Sequence, residues 1–367
     1  MSKVTAIVST YNSEKFIKGC LDDLLGQTLY KRGELEILII NSNSLQNEEA
    51  VIFEYKNKFD HIKYIKTSYR ESLYAAWNRA IKESSGIYIT NANTDDRHRN
   101  DSMELLSNVL DLKNDISLVY SDCYVSRIEN ESYFDNNKKE LYRFPDFFAP
   151  SCLLHYQFGP QAMWRKSIHD KIGFFCEDYK AASDYDFNIR VALEFKAWHV
   201  KQPLGLYLAH ENAISFKDNT IGIETYHILS CYRNEDNIEK LYSNEGVDLH
   251  KRENLIQIYL DMGIRALAFY PPWAHGNASS DIEFAHYCFH KAALMDGANK
   301  EAQFNLRLVD NIMGNQDARK RFFMTNLIKL KFLIRGNNKI NSYRYGKHVA
   351  YPSLLKFPSQ LELISPS

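Results

Sequence analysis

The chain has 367 residues, 45% of them hydrophobic and 25% charged, with a formal net charge of -1. That length exceeds one ordinary domain of about 150 residues, and the composition is that of a core-forming globular protein. The near-neutral total argues against attraction of the whole protein to nucleic acid.

Val4 to Thr10 is a short, apolar, β-branched run of the kind that forms a buried parallel strand. It ends in the turn chemistry of Tyr11-Asn12-Ser13, and Phe16, Ile17, Cys20, Leu21, Leu24 and Leu25 follow at helical spacing. A second run, Leu35 to Ile40, ends in Asn41-Ser42-Asn43-Ser44. A helix over 48–59, a third run over 62–65, a helix over 73–84 and a fourth run over 87–90 come next. The fourth run ends in Asn91-Ala92-Asn93-Thr94-Asp95-Asp96. This βαβαβαβ alternation predicts a parallel sheet with helices on both faces, and such sheets bind ligands beyond the carboxyl ends of their strands. The polar segments after three strands therefore belong on one rim. Neither a phosphate loop with Lys-Ser/Thr nor a G-x-G-x-x-G turn is present.

Asp95-Asp96 has two readings. Adjacent carboxylates at a strand end suit a hard divalent cation that grips phosphate oxygens, and an Asp there also suits a helix N-cap. Arg70 precedes the helix after the third strand. Beyond these, Leu118-Val119-Tyr120 reads as a strand, and 129–148 as a loop or hairpin. Asp184, in Ala182-Ser183-Asp184-Tyr185-Asp186, opens a helix that runs through Phe195. From about Lys217 the pattern is helical: 225–242, 255–270, 282–295 and 300–313. Ala285, Phe289, Ala292 and Gly297 are spaced like the second helix of a tetratricopeptide repeat, with one unit visible.

Between Arg319 and Leu361 there is no acid while Lys and Arg recur, and 319–335 interleaves basic and apolar residues. That segment suits either a membrane-surface helix or a core helix with solvated Lys and Arg. No apolar run reaches the roughly 20 residues that span a bilayer, and the N-terminus lacks a secretory h-region. The six cysteines (20, 123, 152, 176, 231 and 288) form no C-x-x-C pair and read as thiols of a reducing compartment. The expected location is cytoplasmic, with a peripheral position at the inner face of a membrane if the basic tail binds lipid.

Six segments in order resemble the family-2, GT-A-fold glycosyltransferases. They are Val8 to Ser13, Ile39 to Ser44, Ala76-Trp77-Asn78-Arg79 with Gly86 to Ile89, Asn93-Thr94-Asp95-Asp96, Ser183 to Asp186, and Leu208 to Ser215. The resemblance covers about the first 215 residues and is to a bacterial subgroup with helical, repeat-like tails. It implies a GT-A domain over 1–216 with a mostly parallel α/β sheet, a helical accessory region over 217–318 and a basic tail over 319–367. It also implies a single inverting transfer of sugar from a nucleotide-sugar donor to a glycan, lipid-linked or protein acceptor. Asp184 is then the catalytic base. Thr10, Tyr11, Asn12, Asn41, Arg70, Asn78, Asn93, Thr94 and Asp95 form the donor site. Asp95, Asp96 and His210 hold Mg²⁺ or Mn²⁺, and Gln161 and Trp164 face the acceptor. A UDP-sugar is the expected donor.

The chain departs from the family pattern at three places. Asn93 replaces the first Asp of the metal motif, Asn41 stands where an Asp reads the base, and Ser183 replaces the acidic partner of the base, which should leave Asp184 less raised in pKa. The Q-x-x-R-W pattern of processive synthases is absent. The alternatives left open are a sugar-nucleotide-binding or interaction protein with the same fold, and a nucleotidyltransferase. The helical region could dock acceptor, pair subunits into a homo-oligomer or cover the catalytic domain.

Overall fold

In the computed structural model, residues 2–210, 220–268 and 278–315 are described. In chain order they form β1 (Val4–Thr10), α1 (Glu14–Leu25), α2 (Thr28–Lys31), β2 (Leu35–Asn41), α3 (Glu48–Lys56), β3 (Ile62–Lys66), α4 (Leu73–Glu83), β4 (Tyr88–Asn91), β5 (Arg97–His98), α5 (Ser102–Leu112), β6 (Ile116–Ser126) and β7 (Leu141–Tyr142). There follow β8 (Met163–Arg165), α6 (His169–Ile172), α7 (Ser183–Glu194), β9 (Lys196–Leu208), α8 (Thr220–Tyr232), α9 (Glu235–Asn244), α10 (Arg252–Ala268), α11 (Ala278–Met295) and α12 (Lys300–Gly314).

The strands make one sheet in the order β3-β2-β1-β4-β8-β6-β9-β5, with β7 beside β6. The first four are parallel and in register, Val4 opposite both Leu35 and Tyr88. Their alternating apolar residues feed two cores. Val4, Ala6, Val8, Ile37 and Ile39 face α1, α3 and α5, and Ile7, Leu38, Ile40 and Ile89 face α4. Burial on both faces explains why these strands are continuously apolar rather than alternating.

Past β4 the expectation of a parallel sheet fails locally. Met163–Arg165 is an antiparallel strand between β4 and β6. β9, long and parallel to β6 with register shifts at Ser121–Cys123, was not expected from its sequence. The stretch over 129–148 is loop with a short strand pairing back on β6, as a hairpin reading allows.

The helix expected over 225–242 is two helices, because Asn234 caps α9 by accepting from Asn237 N–H at 3.0 Å. Ala285, Phe289 and Ala292 lie on the buried face of α11. Gly263 of α10 meets Phe289 so closely that a Cβ would sit 2.6 Å from the ring, which is why the helices approach there at a glycine. The apolar cluster containing Tyr74, Trp77 and Phe187 continues through Ile228, Tyr259 and Phe289 to Ile312. The helical region is thus packed onto the sheet domain. The boundary expected at 216 and the basic segment over 319–335 lie outside the described residues. No described helix is long and apolar enough to cross a membrane.

Arg233, after α8, is buried in this junction. Its Nε donates to Leu153 O at 2.9 Å and Nη2 reaches Asp281 at 2.6 Å. Truncating one partner leaves a buried charge uncompensated, at about 3–5 kcal/mol. Arg233→Ala is therefore expected to lower the unfolding free energy by that amount and so lower the thermal and urea midpoints, and an unchanged midpoint would contradict the packing described.

Candidate active site

Because β3, β2, β1 and β4 are parallel, the turns after β1, β2 and β4 leave the sheet on one edge. The first two are locked together by Glu48, the first residue of α3, which has no exposed surface. One of its oxygens accepts from Ser13 N–H at 2.7 Å and Ser44 Oγ at 2.8 Å, with Thr10 Oγ1 at 3.4 Å. A carboxylate at a helix N-terminus is favoured by the helix dipole. Asn12 and Asn43 both take left-handed backbone at φ 53°, which Asn tolerates better than most residues. Asn12 is exposed at the edge, and the Arg70 guanidinium lies over the Tyr11 ring at 4.2 Å.

The turn after β4 is shaped by burial of charge. Asp96 accepts from Leu208 N–H at 3.0 Å and from Asn93 Nδ2 at 3.1 Å. Burial, reinforced by the neighbouring Asp95 charge, pushes its carboxyl above the ordinary range. Arg97, also buried, donates to Thr94 O at 2.8 Å, Asp96 O at 2.6 Å and Asn130 Oδ1 at 2.8 Å, clamping the turn from beneath. It fits because residue 19 is glycine: a Cβ there would lie 2.4 Å from the guanidinium. Asp95 is left pointing outward, with His210 Nε2 at 3.2 Å from its Oδ2.

Asp184 sits in the first turn of α7. Its Oδ1 accepts from Tyr185 N–H at 2.9 Å and Tyr74 Oη at 3.3 Å. Burial raises its carboxyl to about 6, against the lowering effect of those hydrogen bonds. Ser183 was expected to leave it less raised, yet desolvation does the work a second acid would have done. Arg70 and Tyr74 are four residues apart around the start of α4. One reaches the β1 turn and the other Asp184, so the carboxylate belongs to the same edge. A cleft of about 410 Å³ beside Arg70 is lined by Glu71, Glu83 and Glu177 and by Arg79 and Lys82, so its charges balance.

Several expected residues serve elsewhere. Asn41 is 1% exposed, its amide donating to Tyr64 Oη and accepting from Ser44 N–H. It shapes the turn and does not reach a base. Asn78 is buried, bonded to Phe175 N–H and O and to Glu177. Gln161 donates to Arg97 O at 2.9 Å against Gly205. Trp164 is 2% exposed in the core of β8, its indole donating to His169. Neither Gln161 nor Trp164 faces an acceptor. Asp96 has both oxygens in internal hydrogen bonds. Thr10 and Thr94 are buried supports. Glu48, Tyr74 and Arg97 were missed. Their partners lie 35, 110 and 33 residues away, so no local pattern marks them.

Comparison with known proteins fits this geometry. Residues 5–173 match the profile described as glycosyl transferase family 2. Residues 5–173 are thus similar to a family-2 glycosyltransferase domain. A poly(ribitol-phosphate) beta-glucosyltransferase of Bacillus spizizenii is 26% identical over 209 residues, covering 56% of this chain and 32% of that protein. The poly(ribitol-phosphate) beta-N-acetylglucosaminyltransferase TarS of Staphylococcus aureus is 23% identical over 215 residues, covering 57% and 36%. The chain thus spans about a third of the length of these relatives. The TarS structure in complex with UDP-GlcNAc superposes with a TM-score of 0.55 at 15% identity, over 84% of this chain and 90% of that one. A mannosyltransferase from Pyrobaculum calidifontis in complex with GDP-Man and Mn²⁺ gives 0.51 at 15% identity, over 89% and 85%. The fold is therefore GT-A with a helical C-terminal region.

An ionised Asp184 is disfavoured by its surroundings, so the folded state loses stability as pH rises from the ordinary Asp value through about 6. Asp184→Asn removes that cost. Its unfolding midpoint should exceed wild type at pH 7.5, with the advantage shrinking toward pH 4. An equal midpoint at all pH would show that Asp184 is not desolvated.

Proposed function

We propose that the protein transfers a sugar from a nucleotide-diphosphate sugar to an acceptor hydroxyl by a single inverting displacement, with Asp184 as general base and a divalent metal at Asp95. The observation that carries this reading is the buried Asp184 carboxylate, held by Tyr74 Oη at 3.3 Å and lying eleven residues beyond the 5–173 stretch that matches family 2. A base with a pKa near 6 is ionised at neutral pH, yet takes up a proton more readily than an ordinary Asp. Tyr74 holds its Oδ1, which leaves Oδ2 for the acceptor hydroxyl. Tyr11, Asn12 and Arg70 line the β1 side, where a base and phosphates would lie.

Two residues would hold a metal jointly with donor phosphates, since no group of three or more His, Cys, Asp or Glu ligands occurs among the described residues. Asp95 and His210 converge, and His210 Nδ1 is buried without a protein partner. Mg²⁺ is commonly held by one or two carboxylates together with substrate phosphates, and Mn²⁺ suits the same oxygen ligands. When bound, such an ion neutralises charge developing on the leaving diphosphate. Asp96 and Arg97 keep Asp95 turned outward. A UDP-sugar is favoured by the relatives' company, and the acceptor class is a glycan or lipid-linked glycan, with a poly(ribitol phosphate)-type polymer the first to try.

A thermal-shift screen of UDP-GlcNAc, UDP-glucose and GDP-mannose with and without Mn²⁺ is expected to show one metal-dependent stabilisation, lost in Asp95→Ala. With a competent acceptor, Asp184→Asn should still bind donor but lose transfer by about 10²–10⁴-fold. Wild-type kcat should rise with pH through about 6 as the base ionises. Undiminished transfer in Asp184→Asn would refute the assignment. Absence of any donor shift from folded protein would favour an interaction protein of the same fold.

A further inference from the structure

The segment just before Asp184 is held in an unusual way. Three successive backbone N–H groups, from Lys180, Ala181 and Ala182, converge on one carboxylate. Lys180 N–H donates to Glu224 Oε1 at 2.7 Å, and Ala181 and Ala182 N–H donate to Oε2 at 2.8 and 2.9 Å. Consecutive N–H groups of this kind form a concave site for an anion. Here the anion is supplied by α8, from the helical region and not from the sheet domain.

The contacts on either side point the same way. Tyr179 Oη lies 3.0 Å from His227 Nδ1, and Tyr232 Oη donates to Asp186 Oδ1 at 2.8 Å. Residues 224 and 227 share one helix face, and 232 follows at the end of α8. They grip 179, 180–182 and 186, which bracket Asp184 on both sides. Asp186 is fixed a second time by Arg190 at 2.6 Å from its Oδ2. The first turn of α7 is therefore set from α8.

We propose that Glu224 is a positioning residue for Asp184, so that α8 completes the active site rather than merely covering the domain. This rests on the reading of Asp184 as the base. A carboxylate suits the task because two charged oxygens accept three N–H groups, whereas an amide offers one accepting oxygen and would turn an N–H₂ toward the others. The groups facing Asp184 are Tyr74 from α4, Tyr156 from the segment before β8 and Glu224 from α8. Of these three, Glu224 alone is a carboxylate. Its negative charge disfavours a second charge at Asp184 and helps hold the base poised.

The experiment compares the full-length wild type with Glu224→Gln, Glu224→Asp and Asp184→Asn, measuring kcat, donor KM and the pH dependence of kcat. In Glu224→Gln, kcat at pH 7.5 should fall about tenfold through misplacement of the base, while donor KM stays within about twofold. The acid limb of kcat should move to lower pH, because a charge that raised the pKa of Asp184 has gone. Glu224→Asp keeps the charge but is too short to hold all three N–H groups. It should lose kcat with the limb unmoved, and it decides the matter if the Gln variant does not fold. Wild-type kcat and an unmoved limb in Glu224→Gln, or wild-type kcat in Glu224→Asp, would overturn the proposal. So would a loss confined to KM, or a uniform loss at every pH in Glu224→Gln, which an anchor without influence on the base would give. Full transfer in Asp184→Asn would instead refute the base assignment.

Discussion

The active edge is organised around one buried carboxylate. Asp96 could satisfy its charge in water, but the fold places it beneath the turn and gives it two internal donors. One of them, Leu208 N–H, closes the end of β9. Ala209 N–H then pairs with Ser126 O at 2.9 Å, and the next residue, His210, arrives beside Asp95. Burying a carboxylate is unfavourable, and its raised pKa is the measure of that. What the cost secures is direction: with residue 96 turned in, residue 95 is turned out. Arg97 and the glycine at 19 make the arrangement rigid from below.

The same trade recurs at Glu48 and Asp184. Each is an acid held by backbone N–H groups at the start of a helix, where the dipole favours its charge. Glu48 ties two loops whose strands are adjacent, so its role is local to the β1 and β2 turns. Asp184 is held by three elements from different parts of the chain: α4 through Tyr74, its own helix through Tyr185 N–H, and α8 through the 180–182 segment. Its geometry can be correct only when the helical region is in place. The continuous core from Tyr74 to Ile312 gives that coupling its physical basis.

The first half of the sheet was legible because its information is local. Val4–Thr10 and Leu35–Asn41 are β-branched, both-face-buried strands, each ended by residues that favour turns. β9 was not legible. Lys196–Leu208 contains Pro203 and Gly205, shows no clean alternation, and owes its pairing to β6 eighty residues earlier. Asp95 and Asp184 could be singled out because a strand end and a helix start expose them. Asn41, Asn78, Gln161 and Trp164 sit beside motif residues, and sequence cannot say whether a polar side chain there faces a ligand or completes a buried hydrogen bond. In each case the second was true. Glu224 has its backbone partners 42 to 44 residues away, and nothing in its own neighbourhood distinguishes it from a solvated acid.

The three departures from the family pattern look different once their partners are known. Asn93 donates to the buried Asp96, and a carboxylate at 93 would set two acids 3.1 Å apart with no proton donor between them. Asn41 donates to Tyr64 Oη, whose own proton goes to Glu49 at 3.0 Å. An acid at 41 would leave that hydroxyl between two carboxylates with one proton to give. Ser183 has no exposed surface, and its hydroxyl finds no hydrogen-bond partner. A larger acid there would be buried with nothing to satisfy it, and the charge that a neighbouring acid would have lent Asp184 comes through space from Glu224. The first two substitutions resolve a conflict inside a polar network. None removes a group from the candidate site, where Asp95, His210 and Asp184 remain. The substitutions therefore describe how this chain builds the site and are poor grounds for reading it as a site that has been lost.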